Sequence, residues 1–79
     1  MIELHRDTSP GPVPGSGTWK RAVVDDEPTA NVGCPRCSFR APLAGTHVID
    51  KNGAVEPSLQ CGNEACGFHE VIRLVGWVG

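Results

Sequence analysis

The sequence predicts a small, mainly-β domain that takes part of its stability from a bound metal and carries a flexible N-terminal arm. Three observations lead there. The chain has 79 residues, 39% of them hydrophobic and only four aromatic, so it can bury one thin core. Its four cysteines form two close pairs on either side of a β-hairpin signal. Its apolar runs are short and rich in β-branched residues, and none approaches the roughly 18 residues that span a bilayer. A core of this size rarely supplies more than about 3 to 5 kcal/mol, so chains of this length usually add a staple such as disulfides or a metal.

Taken from the N-terminus, "MIELHRDTSP" has neither a basic n-region nor an apolar h-region, so no secretory signal is read there. A chain without one is expected in the reducing cytoplasm, where paired cysteines favour metal over disulfide. Residues 8–17, "TSPGPVPGSG", contain eight Pro, Gly or Ser and read as a linker or extended arm. "TWKRAVV", residues 18–24, has the content of a short strand, and "DDEPTANVG" after it reads as loop. We therefore divide the chain into a flexible arm over 1–32 and a metal-bearing domain over 33–79.

In the second part, "THVIDKNGAVEPSLQC" holds two β-leaning runs that meet at Asn52-Gly53, the dipeptide best suited to a type I′ turn. Strands are expected over 46–51 and 54–60, with Pro57 tolerated only at a bulge or where its missing N–H faces outward. "HEVIRLVGWV" makes a third run. Val71, Arg73, Val75 and Trp77 fall on one face and Ile72, Leu74 and Val78 on the other; its branched side chains suit a sheet better than a helix.

Cys34 and Cys37 stand as C-x2-C, and Cys61 and Cys66 as C-x4-C after a gap of 23 residues. Tetrahedral zinc is well served by four thiolates delivered on two tight turns, and the pattern points to zinc held by these four residues. In such a turn the residue after the second cysteine often takes a left-handed conformation; Gly67 suits it and Ser38 suits it less well. Rival readings are a redox C-x-x-C, which would want a helix after Cys37 that the sequence does not offer, and two disulfides, which would want an exported protein. His69, three residues after Cys66, is an alternative ligand in place of Cys61. His47 opens a strand and His5 lies in the arm. Four thiolates leave no open coordination position, so an enzyme is not expected.

The pattern "CPRCSF...CGNEACGFH" around a hairpin resembles the four-cysteine zinc ribbon superfamily over about residues 33–78. The segment "GAVEPSLQCGNEACGFHEVIRLVGW" is also similar to short zinc-ribbon proteins of bacteriophages and mobile elements. The resemblance implies a three-stranded antiparallel sheet topped by one structural zinc, and in a phage-encoded protein the host cytoplasm as its location. It implies little about activity, because ribbons serve many kinds of protein.

Charge narrows the partner. The formal net charge is -2 and the isoelectric point about 5.8, so no overall positive field gathers nucleic acid. Before Gly33, Arg6, Lys20 and Arg21 face Glu3, Asp7, Asp25, Asp26 and Glu27; beyond it, Arg36, Arg40, Lys51 and Arg73 are matched by Asp50, Glu56, Glu64 and Glu70. A nucleic-acid surface would use those four basic residues with Phe39, Phe68 or Trp77 as stacking platforms. A protein-interaction adaptor needs no positive excess and would use an exposed sheet edge and the proline-rich arm. The expectation is a non-enzymatic adaptor with an unidentified protein partner, with nucleic-acid binding as the alternative.

Overall fold

The computed structural model describes residues 1–78. Nine strands follow one another with no helix between them: β1 (Ile2–Arg6), β2 (Thr18–Val24), β3 (Glu27–Gly33), β4 (Arg40–Pro42), β5 (Val48–Ile49), β6 (Val55–Glu56), β7 (Leu59–Gln60), β8 (His69–Glu70) and β9 (Ile72–Leu74). The main sheet has five strands in the order β4-β3-β2-β1-β9; β5 with β6 and β7 with β8 form two separate two-stranded ladders. β1 runs parallel to both β2 and β9, whereas β2, β3 and β4 are successively antiparallel.

This replaces the three-stranded sheet expected from the sequence. Pro57 has no N–H for a ladder, β6 stops at Glu56, and the chain resumes at β7 with a new partner. The third apolar run is divided as well. His69 and Glu70 pair with β7, Val71 is exposed, and Ile72, Arg73 and Leu74 pair with Ile2, Glu3 and Leu4 of β1. Ile72 and Leu74 point into the core as their alternation predicts, while Val78, assigned to the same face, is exposed.

The segment expected as a flexible arm supplies three of the five main strands. Leu4, Trp19, Ala30 and Val32 are all buried in the core with Ile72 and Leu74. The Trp19 indole donates to the Val75 carbonyl at 2.9 Å and its ring lies 5.6 Å from that of Trp77, inclined at 58°. Truncating a buried aromatic of this size typically removes roughly 3 to 5 kcal/mol, so this third of the chain is integral to the fold.

Residues 8–17 are tied down by neighbours rather than by strands. Asp7 accepts hydrogen bonds from the Ser9 hydroxyl, the Ser9 amide and the Gly15 amide at 2.6, 2.9 and 2.8 Å. These bonds, the Ser9 hydroxyl first, hold the Asp7 carboxyl well below the usual carboxylate range. A depressed pKa stabilises the fold above the ordinary carboxylate value, and that stabilisation is lost only as pH falls below it. From the far side the buried Lys20 ammonium donates to the carbonyls of Ser9 and Gly11. Pro and Gly content predicts turns here; the anchoring side chains decide that the turns are held.

"DDEPTANVG", expected as loop, contains β3. Asp25 and Asp26 both have positive φ, 52° and 65°, and make the two-residue connection of the β2–β3 hairpin, a conformation that aspartate tolerates better than most residues. Pro28 sits where β4, which pairs only with Asn31, Val32 and Gly33, does not reach. At Asn52-Gly53 the turn is present but of another type. Only Gly53 is left-handed, Asp50 pairs across to Ala54, and the Asp50 carboxylate accepts from the amides of Asn52 and Ala54 at 2.8 and 3.0 Å. That side chain favours a three-residue loop over type I′.

Candidate metal centre

Each cysteine pair forms the tip of its own hairpin. Cys34 and Cys37 lie between β3 and β4, closed by Gly33 opposite Arg40, and Cys61 and Cys66 lie between β7 and β8, closed by Gln60 opposite His69. The tips share one wiring. In the first, the Cys34 amide donates to the Phe39 carbonyl at 2.9 Å; in the second, the Cys61 amide donates to the Phe68 carbonyl at 2.8 Å. The amide two residues after each cysteine points at its sulfur: Arg36 to Cys34 at 3.5 Å, Phe39 to Cys37 at 3.4 Å, Asn63 to Cys61 and Phe68 to Cys66.

The two extra residues of the second pair are absorbed by Asn63. Its carbonyl accepts from the Cys66 amide at 2.9 Å, and its side chain accepts from the Ala65 amide at 3.2 Å. Gly67 is left-handed, φ +69°, as its place after the pair predicts, while Ser38 in the matching place is not. The Phe39 ring covers Gly62 so closely that a Cβ there would stand 2.5 Å from its tip, which locks one hairpin tip against the other.

All four Sγ atoms lie within 4.8 Å of one another. Cys34 Sγ is 3.7 Å from Cys66 Sγ and Cys37 Sγ is 3.6 Å from Cys61 Sγ. A tetrahedron with metal–sulfur bonds of about 2.3 Å has sulfur–sulfur edges of about 3.8 Å, so the cluster is of the size a metal ion needs. A disulfide needs about 2.05 Å, and all four cysteines are free. Four converging thiols with four amides aimed at them form a donor set that fits a soft divalent ion.

Burial divides the thiols. Cys34 and Cys61 are buried, Cys37 and Cys66 half-buried. The Phe39 amide brings the Cys37 thiol down to about 7, against its desolvation. Burial pushes Cys61 up to about 12, outweighing the Asn63 amide. The Phe68 amide pulls Cys66 down, yet burial and the facing Cys34 and Cys37 thiols leave it above its ordinary value. A metal must displace the protons of the two raised thiols, so uptake is favoured as pH rises.

The histidines lie outside this cluster. His69 Nε2 is 2.8 Å from the Ser58 hydroxyl, His47 is held between the Thr46 hydroxyl and the Ser58 carbonyl, and His5 is exposed on β1. The basic candidates are dispersed. Arg36 is exposed at the first tip and Lys51 in the β5–β6 loop, Arg40 bonds to the Pro14 carbonyl, and Arg73 pairs with Glu3 at 2.6 Å. Of the aromatic candidates, Phe68 is buried and Trp77 packs on Trp19; Phe39 is the most open.

Sequence reasoning did not single out Ser16, whose hydroxyl reaches the carbonyls of Cys34 and Cys37 at 2.6 and 3.2 Å. Nor did it single out Gly62. Asn63 carried the only readable signal, as a turn-former inside a cysteine pair. Among the described residues no helix is long and apolar enough to cross a membrane. Comparison with protein-family models, curated proteins and solved structures finds no match to this chain.

Proposed function

We propose that this chain is a structural zinc module of the zinc-ribbon type that works, without catalysis of its own, as a protein-interaction adaptor in a reducing cytoplasm. The observation that carries the metal reading is the convergence of four Sγ atoms, each met by a backbone amide. Zinc held by Cys34, Cys37, Cys61 and Cys66 would crosslink the two hairpin tips, and four protein ligands would leave no position for a reacting water. A phage origin rests on the sequence resemblance of residues 53–77 alone.

Support for an adaptor comes from the surface. Val23, Val24 and Val48 are exposed beside the acidic Asp25, Asp26 and Glu27, a combination suited to protein contacts and unsuited to phosphate. The nucleic-acid reading keeps one specific support, Arg36 and Phe39 on the first hairpin tip.

Elemental analysis of purified protein should find one zinc per chain. Fluorescence-anisotropy titration with labelled single- and double-stranded oligonucleotides near physiological salt should give dissociation constants no tighter than about 10⁻⁴ M. Tight, salt-sensitive binding that Arg36→Glu abolishes would replace the adaptor reading with the nucleic-acid one.

A further inference from the structure

We infer that Ser16 is a positioning residue of the metal centre, and that through it the Pro/Gly segment clamps the first hairpin tip and slows release of the metal. The inference rests on the zinc reading above. Ser16 lies 18 residues before Cys34 and belongs to neither cysteine hairpin. Its one hydroxyl proton is shared between the Cys34 and Cys37 carbonyls at 2.6 and 3.2 Å. Those carbonyls belong to the two ligands of a single tip, so the hydroxyl fixes the spacing of the C-x2-C turn from outside.

The surrounding contacts show that the segment is fitted to this place. Gly17 donates its amide to the Gly33 carbonyl at 2.9 Å, next to Cys34. Gly33 is approached so closely by the Gly15 carbonyl that a Cβ would stand 2.2 Å from it. The carbonyl of Pro14 takes the Arg40 guanidinium from the strand that leaves the tip. Behind Ser16, the Gly15 amide is held by Asp7 and the Gly15 carbonyl accepts the Thr18 hydroxyl at 2.6 Å. The hydroxyl is thus presented by a segment anchored on both sides, which makes it a clamp rather than a passing contact.

Outer contacts that orient metal ligands are typically worth 10- to 100-fold in metal affinity. Ser16 acts on ligand backbones rather than on sulfur, so the lower end applies. Zinc-loaded protein challenged with the chromophoric chelator 4-(2-pyridylazo)resorcinol should release zinc about tenfold faster as Ser16→Ala than as wild type, and Ser16→Thr should restore most of the slow rate. Lys51→Ala, exposed in the β5–β6 loop away from the segment and both tips, should release zinc at close to the wild-type rate. Equal acceleration by Lys51→Ala, or wild-type release from Ser16→Ala, would overturn the assignment while leaving the zinc reading in place. Protein that purifies without metal would overturn both.

Discussion

Gly53 and Gly67 are both left-handed, with φ of +88° and +69°, yet their surroundings are opposite. A Cβ on Gly67 would meet nothing within 4 Å, whereas a Cβ on Gly53 would stand 2.3 Å from the Leu74 carbonyl oxygen and 3.1 Å from Trp77 Cβ. That oxygen is backbone and cannot swing aside, and Gly53 also accepts the Leu74 amide at 2.8 Å. Gly67→Ala should therefore lose only the conformational term, about 1 to 2 kcal/mol, and Gly53→Ala should lose more, roughly 3 kcal/mol or above, by urea denaturation. Equal losses at the two sites would mean that the close approach to β9 is not maintained in solution.

The β2–β3 hairpin turns through two aspartates in a conformation usually given to Asn-Gly. Replacing them by Asp25→Asn with Asp26→Gly should relieve about 1 kcal/mol and raise the melting temperature by roughly 4 to 8 °C, read by calorimetry. A lowered melting temperature would show that the carboxylates contribute more than their backbone strain removes. This hairpin also marks where reading the sequence stopped short. "TWKRAVV" was legible because alternation and β-branching act within one strand, and the bounds 18–24 hold. Its partner was not, because two acidic residues and Pro28 look like loop unless one knows that Val23 and Val24 need a neighbour. The cysteine cluster was far more legible. Ligand spacing survives in one dimension, so Cys34, Cys37, Cys61 and Cys66 could be named together, and Gly67 with them. Ser16 could not, since its contact depends on how residues 8–17 are anchored by Asp7, Lys20 and Arg40, side chains whose targets are carbonyls that no sequence pattern marks.

At the scale of the molecule, the cysteine cluster and the core are one structure. Cys34 and Cys61 belong to the same buried cluster as Leu4, Trp19 and Leu74. Structural zinc in small domains contributes on the order of 10 to 16 kcal/mol of apparent binding energy at neutral pH, beyond the margin of a core this size. Removing it with a strong chelator should therefore abolish the near-ultraviolet dichroism of the Trp19–Trp77 pair as well as the order of the hairpin tips. A tryptophan signal that survives chelation would show that the five-stranded sheet stands without the metal. The strand order has its own consequence. β1 lies inside the sheet between β2 and β9, and its Glu3 meets Arg73 across 70 positions of sequence. Because β1 is made before β9, one of its flanks stays open until β9 has been translated and pairs with it. The sheet closes only then, so the burial of Leu4 with Ile72 and Leu74 waits on a contact between distant parts of the chain.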